Sequence, residues 1–151
     1  MRTLFTIFSI SLIPILITTP AFAADLSSIN GIWKTDNSGG QVEFYDCGDG
    51  TPCGRLTNIT DPSFIDSFNP DPSLRTRHLN GVTILEGFKA KKDGSFKKGK
   101  IYNPRDGKSY RSSLSITDDG QLKVKGCVAF FCQSQYWIRP EHIELKVKSD
   151  R

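Results

Sequence analysis

Four cysteines carry the most reactive side chains in the sequence, and they fall into two close pairs. Cys47 and Cys53 flank a turn of Gly, Asp, Thr and Pro, and Cys127 and Cys132 flank an apolar loop. Neither pair has the two-residue spacer of a thioredoxin-like redox motif or the spacing of a structural zinc site. An even number of cysteines is typical of disulfides in an exported protein. Three connectivities are open, and we expect the local one, Cys47 with Cys53 and Cys127 with Cys132.

The long segment 60–81 contains the other candidate functional side chains. Arg75 and Arg77 could hold a carboxylate or phosphate of a ligand by bidentate hydrogen bonds. The alternative is that they pair internally with Asp66 and Asp71 to fix the segment, and we favour it because partly buried charges are normally paired. The predicted ligand-binding residues are Arg75, Arg77, Asp66, Asn69, Asp71, Tyr102 and Tyr110.

Catalysis is less favoured than binding. The chain has two histidines, His78 and His142, and neither lies in a recognisable nucleophile motif. Asp66 and Asp71 could act as a carboxylate pair on a glycan, but aspartates in a proline-rich loop are typical turn formers. We therefore predict no catalytic residue, no metal ligand and no cofactor.

The N-terminus predicts export. Arg2 precedes the apolar run 4–17, and Ala21-Phe22-Ala23 places small residues at the expected cleavage spacing, as in a secretory signal peptide. A membrane anchor is the alternative, but Pro14 interrupts a run already short of the roughly 20 residues that a spanning helix needs. We expect a signal peptide at 1–23 and one domain at 24–151.

The charge of the mature chain excludes one class of partner. Removing residues 1–23 takes away only Arg2 among the charged residues, so the net charge falls from +4 to +3. This excess is far below the concentrated basic face of a nucleic-acid-binding protein. We expect no nucleic-acid partner and no membrane span, and the sequence leaves the oligomeric state undetermined.

The elements that must position these residues are strands. Eight short, partly alternating runs are bounded by Gly, Asn or Asp, and several connections contain Asp-Gly, the strongest short hairpin signal. Consecutive hairpins predict an antiparallel meander, and eight strands suit a closed barrel that removes exposed edges and can hold one small ligand. The predicted strands are 31–35, 40–46, 54–59, 82–90, 95–103, 110–117, 121–126 and 134–140.

The two ends of this meander carry a known pattern. Gly31-x-Trp33 opens the first strand, and Arg139 follows Trp137 in the last. This arrangement resembles lipocalins and the wider calycin group, in which an arginine of the closing strand packs across the tryptophan. The resemblance implies a cation–π contact between Trp33 and Arg139 that closes the barrel.

A second resemblance covers nearly the whole mature chain. Its motifs include Cys53-Gly54-Arg55, Asn69-Pro70-Asp71-Pro72, Tyr102-Asn103-Pro104, Gly107-Lys108-x-Tyr110 and Trp137-x-Arg139. In order and spacing they are similar to a bacterial exported family, domain of unknown function 2147. The resemblance implies an all-β fold, a single antiparallel eight-stranded lipocalin-like barrel with a long lid-like loop between strands 3 and 4. It also implies a periplasmic or secreted protein of a Gram-negative bacterium, and no established reaction.

Two functions are consistent with these features. The first is binding of a small anionic or amphipathic ligand in or near the barrel cavity. The second is contact with an envelope partner or anionic lipid through the lysine-rich hairpin 89–100 and the loop that contains Phe130 and Phe131. For the hairpin, a solvated edge that resists strand pairing is the favoured alternative. For the two phenylalanines, the alternative is that both plug one end of the core.

Overall fold

The computed structural model describes residues 24–35, 40–59 and 61–140 of the 151-residue chain. The predicted signal peptide and His142 lie outside these residues. Two short 3-10 helices, Leu26–Ser28 and Pro72–Leu74, accompany the strands. The strands are β1 (Gly31–Lys34), β2 (Gln41–Asp46), β3 (Pro52–Thr57), β4 (Thr83–Glu86), β5 (Lys89–Ala90), β6 (Phe96–Asn103), β7 (Lys108–Ile116), β8 (Leu122–Val128) and β9 (Phe131–Trp137).

The strands form the predicted antiparallel meander. Eight of them pair in the order β1-β2-β3-β4-β6-β7-β8-β9, and the two-residue β5 pairs with β6 beside this path. The fourth predicted strand, 82–90, is divided in two because Gly87 has a positive φ of 72°, a conformation that ends extended pairing and that glycine adopts without steric penalty. The all-β prediction and the long loop between the third and fourth strands are confirmed.

The sheet curls until its two edge strands meet. Lys34 and Ile138 exchange backbone hydrogen bonds, with N to O distances of 2.8 and 3.1 Å. The closure is partial, because the residues of β9 before Trp137 are exposed and pair only with β8 among the described residues. The structure therefore differs from the fully closed barrel that the sequence predicts: the first strand is too short to cover the length of the last.

Apolar side chains on the inner face of the sheet form one hydrophobic core. In β2, Val42 and Phe44 are buried between more exposed neighbours, and Leu122 and Val124 are buried in the same way in β8, as expected of a sheet with one face in the interior. The tryptophans lie in this interior, and the Trp137 ring packs 6.2 Å from that of Phe44, measured between centroids. The largest apolar members of the core are Trp33, Trp137, Phe44, Phe88, Phe96, Ile29, Leu85, Leu114 and Leu122.

Antiparallel connectivity gives the barrel two distinct ends. The connections after β3, β6 and β8 lie at one end, which we call the mouth. The connections after β2, β5 and β7 lie at the other end, which we call the base. The lid, defined as residues 61–81, belongs to the mouth. A Cβ at Gly107 in the β6–β7 turn would lie only 1.8 Å from the carbonyl oxygen of Phe68, so the lid backbone rests directly on that turn.

Candidate ligand-binding cavity

The base of the barrel is closed by the predicted tryptophan–arginine pair. The guanidinium carbon of Arg139 lies 4.4 Å from the Trp33 ring centroid, within the range of a cation–π contact. Its two terminal nitrogens donate to the carbonyl oxygens of Asn30 at 3.1 Å and Ser28 at 3.0 Å. Gly31 has a φ of 105°, and a Cβ there would approach the guanidinium to 3.1 Å. The Gly-x-Trp motif thus leaves room for the arginine that covers the tryptophan.

A cavity of about 570 Å³ occupies the mouth half of the barrel. Its walls are the inward side chains of several strands, and most of them are apolar. On β9 these are Phe131, Gln133, Gln135 and Trp137, which alternate with the outward residues of that strand. The apolar walls are formed by Val42, Leu56, Ile84, Ile101, Val124, Val128, Phe131 and Trp137.

Polar groups of the cavity are concentrated near the mouth. Asn103, Arg105, Tyr102, Tyr110 and Gln133 line it there, while Gln135 lies deeper, opposite Val124. Of the lining residues that the structure describes, Arg105 alone carries a formal charge. Its side chain is exposed and makes no hydrogen bond or ion pair within the described part of the chain. The cavity therefore combines an apolar interior with one cationic group at its entrance.

Both tyrosines at the mouth donate their hydroxyl hydrogens to carboxylates. Tyr102 donates to Asp66 at 2.5 Å, and burial together with this bond raises the pKa of Tyr102 to about 12. Tyr110 donates to Asp106 in the β6–β7 turn, and this bond raises the pKa of Tyr110. Both hydroxyl donors are therefore engaged, and the Tyr102 oxygen also accepts from the Asn69 amide at 3.3 Å.

Asp66 is the centre of a buried cluster that joins the lid to β6. Its side chain is fully buried, and it accepts hydrogen bonds from Asn69 at 2.7 Å, Tyr102 at 2.5 Å and the Arg77 guanidinium at 2.8 and 3.1 Å. Burial acts to raise the pKa of Asp66, but the hydrogen bonds from Tyr102, Asn69 and Arg77 outweigh it, so the pKa lies below its usual value. Asp66 is therefore held as a carboxylate.

The other charged residues of the lid organise its own backbone. Arg75 donates from Nε to the carbonyl oxygen of Asn69 at 2.8 Å. Asp71 accepts from the backbone N–H and hydroxyl of Ser73 at the start of the second 3-10 helix, and these bonds lower the pKa of Asp71. The internal pairing that the sequence favoured is present for Arg77 with Asp66, while Arg75 binds backbone.

Comparison with known proteins agrees with this architecture. A family model described as an uncharacterized protein conserved in bacteria, DUF2147, matches residues 31–139. The chain belongs to this family. The match begins at Gly31 and ends at Arg139, the two residues that meet at the closed base of the barrel. A search of curated proteins gave no match.

A solved structure shows a similar fold. Protein HP1028 from Helicobacter pylori, described as belonging to the lipocalin family, is 27% identical, and the alignment covers 76% of this chain and 86% of that chain with a TM-score of 0.65. This DUF2147 chain therefore has a lipocalin-like barrel, as its Gly-x-Trp and arginine pattern predicted.

The structure separates the predicted ligand-binding residues into two groups. Tyr102 and Tyr110 line the cavity. The lid residues Asp66, Asn69, Asp71, Arg75 and Arg77 lie beside it and form the lid cluster and its internal contacts. Sequence reasoning missed Arg105, Gln133 and Gln135, although period-2 alternation backwards from Trp137 would have found both glutamines.

The two disulfides are local and lie at opposite ends of the barrel. Cys47–Cys53 closes the β2–β3 connection at the base, with Cα atoms 5.2 Å apart. Cys127–Cys132 joins directly opposed residues of β8 and β9 near the mouth, with Cα atoms 4.1 Å apart. These bridges fit an exported protein of the DUF2147 family. The described residues include no helix of the length and apolar character needed to cross a bilayer.

The lysine-rich hairpin and the phenylalanine loop are separated in the fold. The turn of the hairpin lies at the base, and two of its lysines pair with carboxylates, Lys97 with Asp93 at 2.9 Å and Lys100 with Glu86 at 3.4 Å. Phe130 and Phe131 lie at the mouth and are 98% and 84% exposed. The phenylalanines therefore do not plug the core, and Phe131 also borders the cavity.

Proposed function

We propose that this protein binds an anionic amphipathic small molecule in the barrel cavity. The observation that carries the proposal is the cavity itself, about 570 Å³ with mostly apolar walls and a polar, cationic entrance. Pockets that bury small ligands commonly have volumes of about 300–1,000 Å³ and a few polar groups that fix orientation. The volume and the distribution of polarity both fit this class of site.

The apolar interior suits the hydrocarbon portion of such a ligand. Ile84, Ile101 and Val124 come from three different strands and provide no hydrogen-bonding side chain. A polar ligand group placed against them would lose its bonds to water without replacement, which is unfavourable. An alkyl or aromatic portion would instead gain from burial at about 25 cal/mol per Å² of apolar surface.

The mouth suits the anionic portion. Arg105 can donate to a carboxylate or phosphate there. Gln133 can add a neutral hydrogen bond, whereas the Oε1 atom of Gln135 already accepts from the indole nitrogen of Trp137 at 2.9 Å. The lid arginines are less suited, because Arg77 is paired with Asp66 and Arg75 with a backbone carbonyl.

We propose that the chain is exported and that the mature protein binds its ligand in the periplasm or in the medium. Two disulfides and the family's bacterial distribution support this location. The predicted signal peptide at 1–23 would supply the route.

Native mass spectrometry combined with one matched pair of variants tests the proposal. Protein purified without refolding is compared with its denatured mass, and we expect an extra mass that is lost on denaturation. Dansyl-undecanoic acid, a fluorescent anionic amphiphile, is then titrated into the wild type, Arg105→Gln and Arg75→Gln. Because the Arg105 side chain is exposed, we expect its loss to weaken binding by about fivefold, and Arg75→Gln to leave the affinity unchanged.

The same variants also show which results would contradict the proposed ligand binding. Saturable binding that is equally strong in all three proteins would remove Arg105 from the site and, with it, the anionic preference. Absence of saturable binding, together with a bare native mass, would contradict the cavity as a binding site for amphiphiles.

A further inference from the structure

Exposed apolar side chains are concentrated at the mouth. Among the described residues, nine large hydrophobic side chains are exposed, and six of them belong to the lid or to the tip of the β8–β9 hairpin. A cluster of this kind on a soluble protein usually marks an interaction surface. The six are Phe64, Ile65 and Phe68 in the lid and Val128, Phe130 and Phe131 at the tip.

The hairpin tip is held in one shape. The disulfide Cys127–Cys132 lies immediately below it. Arg111 on the neighbouring β7 donates to the carbonyl oxygen of Ala129 at 2.6 Å, and Ala129 has a positive φ of 50°. A non-glycine residue adopts this conformation at an energetic cost, so it persists only where the surroundings enforce it. Phe130 is therefore presented to solvent on a rigid support.

The charge around the tip is positive. The hairpin from Leu122 to Trp137 contains no carboxylate, and of its two lysines Lys125 lies nearer the tip while Lys123 lies toward the base. Arg105 at the cavity entrance and Arg111 beneath the tip add two more cations. Exposed aromatic residues flanked by cations are complementary to an anionic bilayer, since the rings enter the interface and the cations face the headgroups.

We propose that the mouth end docks on an anionic phospholipid bilayer, with Phe130 as the main inserting side chain. The lipid surface, rather than a protein, is favoured because Phe130 is 98% exposed on a turn beside cations and no carboxylate lies on its hairpin, an arrangement that suits an aromatic side chain entering an anionic interface. Docking in this orientation turns the cavity entrance toward the membrane. It extends the proposed function by naming the bilayer as the place where an amphipathic ligand is taken up or released.

The lysine-rich hairpin is not part of this surface. Its turn lies at the base, at the opposite end of the barrel from Phe130, and Lys97 and Lys100 face carboxylates on their own side of the sheet. The docking surface therefore depends on the tip and its adjacent cations, and the hairpin stays in solvent when the mouth is docked.

Vesicle sedimentation with a matched pair of variants tests the proposal. The wild type, Phe130→Ser and Ile116→Ser are mixed with vesicles of phosphatidylethanolamine and phosphatidylglycerol, or of phosphatidylcholine alone. Ile116 is the control because it is also exposed and apolar but ends β7 at the base. Losing one inserted phenyl ring should lower the partition coefficient by about tenfold. The Ile116 variant should match the wild type, and binding to phosphatidylcholine should be weaker for all three.

Two outcomes would overturn the proposal: no sedimentation of the wild type with anionic vesicles, or equal losses for both variants. Phe130 does not line the cavity, so titration of Phe130→Ser with dansyl-undecanoic acid separates this proposal from the previous one. Unchanged probe affinity with lost vesicle binding supports docking by the tip. Vesicle binding by the wild type without any probe binding would refute the proposed cavity function and leave docking intact.

Discussion

A single buried carboxylate, Asp66, links the lid to the barrel wall. It accepts four hydrogen bonds from three side chains, two from Arg77 and one each from Asn69 and Tyr102, and Tyr102 itself lines the cavity. The sequence showed that Asp66 and Arg77 could pair, because both lie in one proline-rich segment. It did not show the Tyr102 contact, because that residue is 36 positions away and on β6. The role of Asp66 in joining the lid to β6 therefore depends on a contact between distant parts of the sequence.

Replacing Asp66 with Asn should destabilise the protein and make its free energy of unfolding less dependent on pH in the acid range. Asp66 is buried but the Arg77 side chain is 37% exposed, so the loss is smaller than for a fully buried ion pair, and we expect about 2 kcal/mol in the free energy of unfolding at neutral pH. The native pKa of Asp66 lies below its usual value of 3.8, so its stabilising effect is complete above that pH and is lost as the pH falls through the native pKa. Urea unfolding between about pH 7 and pH 2 measures the difference between the two proteins.

The other acidic residues serve as an internal reference for this experiment. Several exposed aspartates also have lowered pKa values, and they contribute equally to the wild type and the variant. We therefore expect the difference between the two proteins to be constant near neutrality and to shrink in acid. A difference that stays constant throughout would show that Asp66 is not held as a carboxylate by its partners.

At the scale of elements, the lid is positioned by the β6–β7 turn. The backbone of the turn at Gly107 and that of the lid at Phe68 are so close that no side chain fits between them. Asp-Gly in the connection identified the hairpin from sequence, and the long segment 60–81 was expected to fold over one end of the barrel. The contact between the two could not be predicted, because nothing in either segment indicates where a distant backbone will lie.

Substitution of Gly107 with Ala should loosen the lid, and Gly94→Ala is its matched control. Both glycines have positive φ, 68° and 77°, but a Cβ at Gly94 meets nothing within 4 Å. The backbone penalty of about 1 kcal/mol applies to both variants, and the clash with Phe68 adds at least about 2 kcal/mol at Gly107 only. Urea unfolding measures both losses, and equal losses would mean that the lid does not rest on the turn.

At the scale of the whole molecule, the strand pattern and the turn residues were sufficient to predict the topology of the sheet. Alternation and Asp-Gly turns predicted an antiparallel eight-stranded barrel, and Gly31, Trp33 and Arg139 indicated how it closes. The partial closure was not predictable, since it depends on the unequal lengths of β1 and β9. The predicted last strand also began three residues late, at Ser134, so the cavity-lining Gln133 fell outside it.

The cavity can be filled without disturbing its walls. Gly126 lies on β8 and lines the cavity, and a Cβ there would make only an ordinary contact, 3.7 Å from Cγ2 of Ile101. Its backbone does not require glycine, because its φ is outside the positive range. A larger side chain at this position would project into the space that the ligand is proposed to occupy. Ser134 on the adjacent β9 is exposed and does not line the cavity, so it supplies a control that introduces the same leucine outside the cavity.

The most direct test of the central claim is a titration of dansyl-undecanoic acid into the wild type, Gly126→Leu and Ser134→Leu, with circular dichroism to show that all three are folded. Binding inside the barrel predicts saturable binding to the wild type and Ser134→Leu, and a loss of at least about tenfold in Gly126→Leu, because the leucine occupies the volume needed by the alkyl chain. Equal affinity in all three folded proteins would contradict the account, because the probe would then bind outside the cavity.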